Sequence, residues 1–279
     1  MVEDIPIGLK RGRIPNERPK LDDRREGDTV PVKEAVRPDA ATIYEPDDDS
    51  MPAEYRELLT QLVMVQAGVE GTGLFNGFTL KLGERMWELA PTAGDKVRVM
   101  HYIADETRHG YIYYNIGLQL GLDFSDPRML EGAGGFLDIF NYLPETWADL
   151  GWFNFLGDRV GVYQGREWIH SSYGPMRRSA PGVVNDEYGH SAMGHYHLKV
   201  MCSTEEGRAE AQRALHDWYP RVLDMFGNAK SKRDRKYVAW GLKQHTNEEL
   251  RQQFIEETTP MIEALGLTVP DPLANRKFV

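Results

Sequence analysis

A single cysteine, Cys202, stands in 279 residues, so no disulfide can form within the chain and a reducing, cytoplasmic setting is expected. No apolar run is long enough to cross a bilayer, and the first residues lack a signal-peptide pattern. Basic charge is short too: 33 Lys and Arg face 43 Asp and Glu, a net charge of −10 that argues against general binding to nucleic acid or anionic membranes. Alternating strand patterns are scarce, which points to an all-α fold.

What is present falls into two parts. Residues 1–50 hold six prolines and 22 charged residues with little apolar periodicity, the composition of an extended arm. Residues 51–279 carry helical periodicity and read as one helical domain. A first helix starts near Pro52 and keeps Leu58, Leu62, Val65 and Val69 on one side. Further helices are predicted over about 93–121, 147–171, 177–201, 204–226 and 232–265.

Two of these helices carry charge where the pattern calls for apolar residues. The stripe Val99, Ile103, Glu106, Tyr113, Ile116, Leu120 includes Glu106, and His109 follows three residues later on the same face. The stripe Val183, Glu187, His190, Gly194 repeats the arrangement, and "ADETRHG" and "NDEYGHS" share Asp-Glu-x-x-His, a hint of an old helix-pair duplication. Buried carboxylates are costly unless something neutralises them. Paired Glu-x-x-His motifs on separate helices suit a dinuclear metal site in a bundle whose other two helices each give a carboxylate.

On the first helix Glu70 qualifies, flanked by Val63, Gln66, Ala67 and Leu74. The third helix offers Asp158 and Glu167, nine residues apart and so about half a turn out of phase. Asp158 lies 17 residues before Pro175 and Glu187 lies 12 after it, a level pair, whereas Glu167 sits close to the turn. Asp158 is therefore the choice and Glu167 the alternate. The expected ligands are Glu70, Glu106, His109, Asp158, Glu187 and His190, with Glu70, Glu106 and Glu187 also expected to act in catalysis. Four carboxylates and two divalent ions cancel in charge, and this donor set favours two irons, with Mn/Fe or two Mn as alternatives. Asp105 and Asp186 are candidates to accept hydrogen bonds from the ligand imidazoles across the site.

These residues, with "MPAEYRELLTQL" (51–62), "IFNYLPETWADLGW" (139–152), "SSYGP" (171–175) and "TNEELRQQFIEETTPMIEALGLTVPDP" (246–272), resemble the catalytic A subunits of bacterial phenylacetyl-CoA epoxidases, also called ring 1,2-monooxygenases. The resemblance implies a ferritin-like four-helix bundle with additional C-terminal helices. It also implies a di-iron centre that activates O₂ to epoxidise an aromatic acyl-CoA. Electrons would come from a separate reductase, and a metal-free structural sister subunit or a homo-oligomer would complete the assembly. In that family the ligand positions fall on Glu70, 106–109, Asp158 and 187–190. The chain departs from the pattern in a longer interval from Glu70 to Glu106, a longer N-terminal arm and a shorter C-terminus. The first of these puts a paralogue with another substrate in play.

Other features have two readings each. Tyr102, Tyr111, Tyr113, Tyr114, Phe75 and Phe78 line a pocket or pack a core; "KSKRDRK" (230–236) holds CoA phosphates, docks a reductase or opens a helix in solvent. His197 is expected in a pocket or core and His195 off the ligand face. A structural or iron-binding ferritin-like protein is the competing class.

Overall fold

A computed structural model describes residues 42–71, 73–126, 129 and 137–278; most of the expected arm, over 1–41, lies outside them. The fold has ten α-helices among the described residues: α1 (Ala53–Gln66), α2 (Gly73–Asn76), α3 (Phe78–Leu89), α4 (Ala93–Gln119), α5 (Trp147–Trp152), α6 (Arg159–Ile169), α7 (Gly174–Met201), α8 (Glu205–Asp224), α9 (Lys232–Ala239) and α10 (Asn247–Glu263). No strand occurs among the described residues; one parallel bridge joins Tyr44 to Tyr173. None of the helices described is long and apolar enough to cross a membrane.

Local chemistry sets the boundaries. Thr92 accepts from the Asp95 amide and starts the 27-residue α4, and Gly121, in the left-handed region, turns the chain just past its end. Capping boxes built by Thr146 with Asp149 and by Thr246 with Glu249 start α5 and α10. The single helix expected over 232–265 is two, because Gly241 turns left-handed and Thr246 restarts the chain as α10. α7 begins at Gly174, with Pro175 in its first turn, three residues before the expected start. α3 was not expected at all. Val65, placed on an apolar stripe, is exposed.

Two helices change pitch. α1 runs into a π turn, Ala67–Gly71, and α5 runs through a longer one, Phe153–Asp158, into α6. A π turn holds one residue more than the α turn it replaces, so the side chains it carries are re-aimed.

α1 with its π turn packs on α4, α4 on α7, and α5–α6 on α7, giving the four-helix bundle. α8 packs on α5, α9 on α1 and α10 on α6 as the added C-terminal layer. Two apolar clusters form. One takes Val99 and Tyr102 from α4 and Leu198 from α7; the other takes Tyr113 and Ile116 from α4 and Met176, Ala180 and Val183 from α7. Along both long helices the acidic motifs sit between these clusters.

Candidate metal centre

The middle turns of α4 and α7 bring their Glu-x-x-His pairs face to face. His109 Nδ1 lies 3.3 Å from Glu187 Oε1, and His190 Nδ1 lies 3.2 Å from Glu106 Oε1 and 3.8 Å from Glu187 Oε2. Two sets of donor atoms converge, Glu106–His109–Glu187 and Asp158–Glu187–His190, each with its atoms within 4.8 Å of one another. Glu187 belongs to both sets, the position a shared carboxylate needs.

The two π turns bring the remaining carboxylates. Asp158, the last residue of its turn, accepts from Asn154 Nδ2 at 2.9 Å and from Tyr102 Oη at 3.3 Å. Glu70 accepts from Gln66 within the first turn and lines the same cavity as Glu106, Asp158 and Glu187. Glu167, the alternate, faces elsewhere. Its carboxylate takes the His245 amide at 2.7 Å and His245 Nδ1 at 2.8 Å, so it anchors the loop before α10.

The electrostatics call for cations. Burial pushes the Glu70 and Asp158 carboxyls well above the usual range, with nearby carboxylates adding to the effect. Burial works against charge on His109 too, yet its contacts with Asp186 and Glu187 carry it up to about 11. His190 is raised in the same way, through Asp105, Glu106 and Glu187. Burial opposes ionisation of Glu187, but the two imidazoles hold its carboxyl low. Glu70 Oε2, Glu106 Oε1, His109 Nδ1 and His190 Nδ1 are buried and make no well-formed hydrogen bond among the described residues. Four orphaned donor atoms around an acidic cluster fit metal ions well.

The sequence profile of the family described as "Phenylacetic acid catabolic protein" matches residues 40–277. The chain belongs to this family. It is also 32% identical over 241 residues to the A component of the 1,2-phenylacetyl-CoA epoxidase of Escherichia coli (strain K12), covering 83% of this chain and 74% of that one. The resemblance stated from the sequence is borne out, and with it the enzyme class, an O₂-dependent oxygenase.

In this family member the outer carboxylates cross between helices. His109 Nε2 bonds Asp186 Oδ2 of α7 at 3.2 Å, and His190 Nε2 lies 3.5 Å from Asp105 Oδ2 of α4. Each aspartate thus faces the imidazole of the other helix, as expected from the sequence. The Arg108 guanidinium, which drew no notice in the sequence, bonds Asp186 and lies 3.5 Å from Asp105. Asn154 was missed likewise, and Gln66 was placed beside Glu70 without its bonding role; each sits four residues from the carboxylate it holds, a helical spacing that could have shown both.

A cavity open to solvent adjoins the carboxylates. Phe78, Leu82, Phe140, Phe153 and Val160 give it an apolar wall, and Thr79 and Gln164 add polar groups to the lining. Of the aromatics weighed from the sequence, Phe78 and Tyr102 line it. Phe75 and Tyr111 are exposed, Tyr114 packs on Phe124, and Tyr113 is core beside Trp168. His197 is core, 3.3 Å from Asp95 and stacked on Trp147, and His195 stacks on Phe155. The basic run 230–236 is absent from the cavity lining; Lys236 pairs with Glu54 and Asp234 is buried.

Proposed function

We propose that the protein is the catalytic subunit of a di-iron monooxygenase that inserts one oxygen atom of O₂ into the ring of an aromatic acyl-CoA, phenylacetyl-CoA being the first candidate. The observation that carries the reading is the pair of His–carboxylate sets sharing Glu187 beneath an apolar cavity. Family membership and the activity named for the Escherichia coli relative support it.

Glu70, Glu106, His109, Asp158, Glu187 and His190 would hold the two irons, with Mn/Fe or two Mn as the alternative loading. Bound iron supplies the O₂ activation that protein side chains lack. The second oxygen atom leaves as water, so the cycle needs two electrons and two protons, which we assign to a separate reductase and to solvent. A metal-free sister subunit is the partner we expect, in the cytoplasm.

The chain's own residues do the rest. Phe78, Leu82, Phe140 and Phe153 give an aromatic ring an apolar seat and keep bulk water from the carboxylates. Thr79 and Gln164 are placed to meet the polar acyl end of a substrate. Asp105 and Asp186 orient the imidazoles.

Iron per chain by plasma mass spectrometry, together with acyl-CoA-dependent O₂ consumption under a supplied reductant, tests this. About two irons per chain and ring-oxygenated product are expected, with both lost in Glu106→Ala and His190→Ala while helix content stays. Wild-type turnover in either variant would sink the proposal. A paralogue acting on a differently substituted ring is the second reading. It rests on α3, which lies in the long Glu70–Glu106 interval and gives the cavity Phe78, Thr79 and Leu82; a panel of aryl-acyl-CoAs separates the two.

A further inference from the structure

We infer that Arg108 is the positioning residue for both halves of the metal centre, and that this one guanidinium does the work of two. The inference rests on the di-iron reading above.

The outer contacts obey an approximate two-fold relation between α4 and α7. His109 faces Asp186, and His190 faces Asp105. The residue before each histidine is Arg108 on α4 and Gly189 on α7, and Arg108 reaches the opposite aspartate. The two positions correspond, and only one holds a cation.

Arg108 covers both. It bonds Asp186 across the helix pair and lies 3.5 Å from Asp105, three residues back on its own helix. The Arg108 side chain is 45% exposed, against 10% for Asp186 and 33% for Asp105, so it is the most solvent-facing member of this chain of contacts. Both contacts come from one guanidinium nitrogen, Nη2, and the planar group fixes the directions of its two hydrogens where an ammonium's three swivel on a flexible stem. The aspartates in turn fix which nitrogen of each imidazole faces the buried carboxylates. Loss of Arg108 therefore loosens both imidazoles together.

Position 189 offers the control. A Cβ there meets nothing within 4 Å among the described residues, so a side chain is tolerated. By the two-fold relation an arginine at 189 reaches Asp105 across the pair and Asp186 on its own helix.

The experiment follows iron per chain over time in a chelator for wild type, R108Q and R108Q/G189R. R108Q should lose both irons in step, about 10–100-fold faster than wild type. The double variant should recover most of the retention. Loss of one iron with the other kept, retention equal to wild type, or parallel loss without recovery by G189R would overturn the inference. Should R108Q fail to fold, R108K is read instead: its charge without the fork should give intermediate retention, and wild-type retention would overturn the inference. A wild-type protein that folds without iron would instead sink the di-iron reading, and this inference with it.

Discussion

Gly161 is pressed against Glu187: a Cβ on residue 161 would sit 3.0 Å from Glu187 Cδ and 3.1 Å from Oε2. The carboxylate shared by both donor sets thus owes its position to a missing methyl group on α6. Gly161→Ala should push Glu187 by a few tenths of an ångström and lower turnover about tenfold, with Gly161→Val worse. Steady-state rates beside circular dichroism check this; an Ala variant as active as wild type would show that Glu187 has room.

A second close approach holds Glu70. A Cβ on Gly110 would lie 2.7 Å from the Glu70 carbonyl oxygen, a backbone atom that cannot swing away. Gly110→Ala should force the π turn off α4, costing about 1–3 kcal/mol of stability and weakening metal retention. Chemical denaturation and iron content would be read on the same samples.

The C-terminal layer depends on a buried ion pair. Lys243 Nζ lies 2.7 Å from Asp234 Oδ1 and 2.7 Å from Asn247 Oδ1, and Asp234 also accepts the Asn247 amide. Asp234→Ala leaves the ammonium buried without its partner and should cost about 3–5 kcal/mol. The double replacement Asp234→Leu with Lys243→Met should cost clearly less than that single one, which thermal unfolding of both variants would reveal.

Stability should also respond to pH through His245. Its bond to Glu167 raises the imidazole above its ordinary value, against burial, so the folded protein holds that proton more tightly than the unfolded chain. The resulting stability is fully present below about pH 6.5 and is lost as pH rises through the raised folded value. The gap in melting temperature between wild type and His245→Ala should therefore be wide at pH 6 and shrink toward pH 9. A gap that does not change over this range would contradict the assignment.

Much of the centre could be read from spacing alone. Glu106 with His109 and Glu187 with His190 interrupt apolar stripes, and a helix of known period must project them together. Leveling Asp158 against Glu187 across Pro175 separated it from Glu167, which the fold uses to hold His245. The π turns were hidden, because one extra residue in a turn leaves no mark in composition. α3 was hidden by its place among glycines, and the break between α9 and α10 by continuous helix-forming residues on either side of Gly241. Arg108 looked like any exposed helix charge, since its worth lies in a partner, Asp186, 78 residues away.

Glu70 and Asp158, the two carboxylates outside the Glu-x-x-His motifs, both sit in π turns, Ala67–Gly71 and Phe153–Asp158. Such a turn is an α turn widened to hold one inserted residue, so the helix beyond it keeps its facing. An in-frame loss of a single codon in either segment would restore ordinary pitch, leave the flanking turns in place and shift the bulged residues that carry the carboxylate. The bundle could stay folded while its metal-holding capacity vanished. Passage between a chemically active chain and an inert scaffold would then need no substitution at any donor, only a change of one in length.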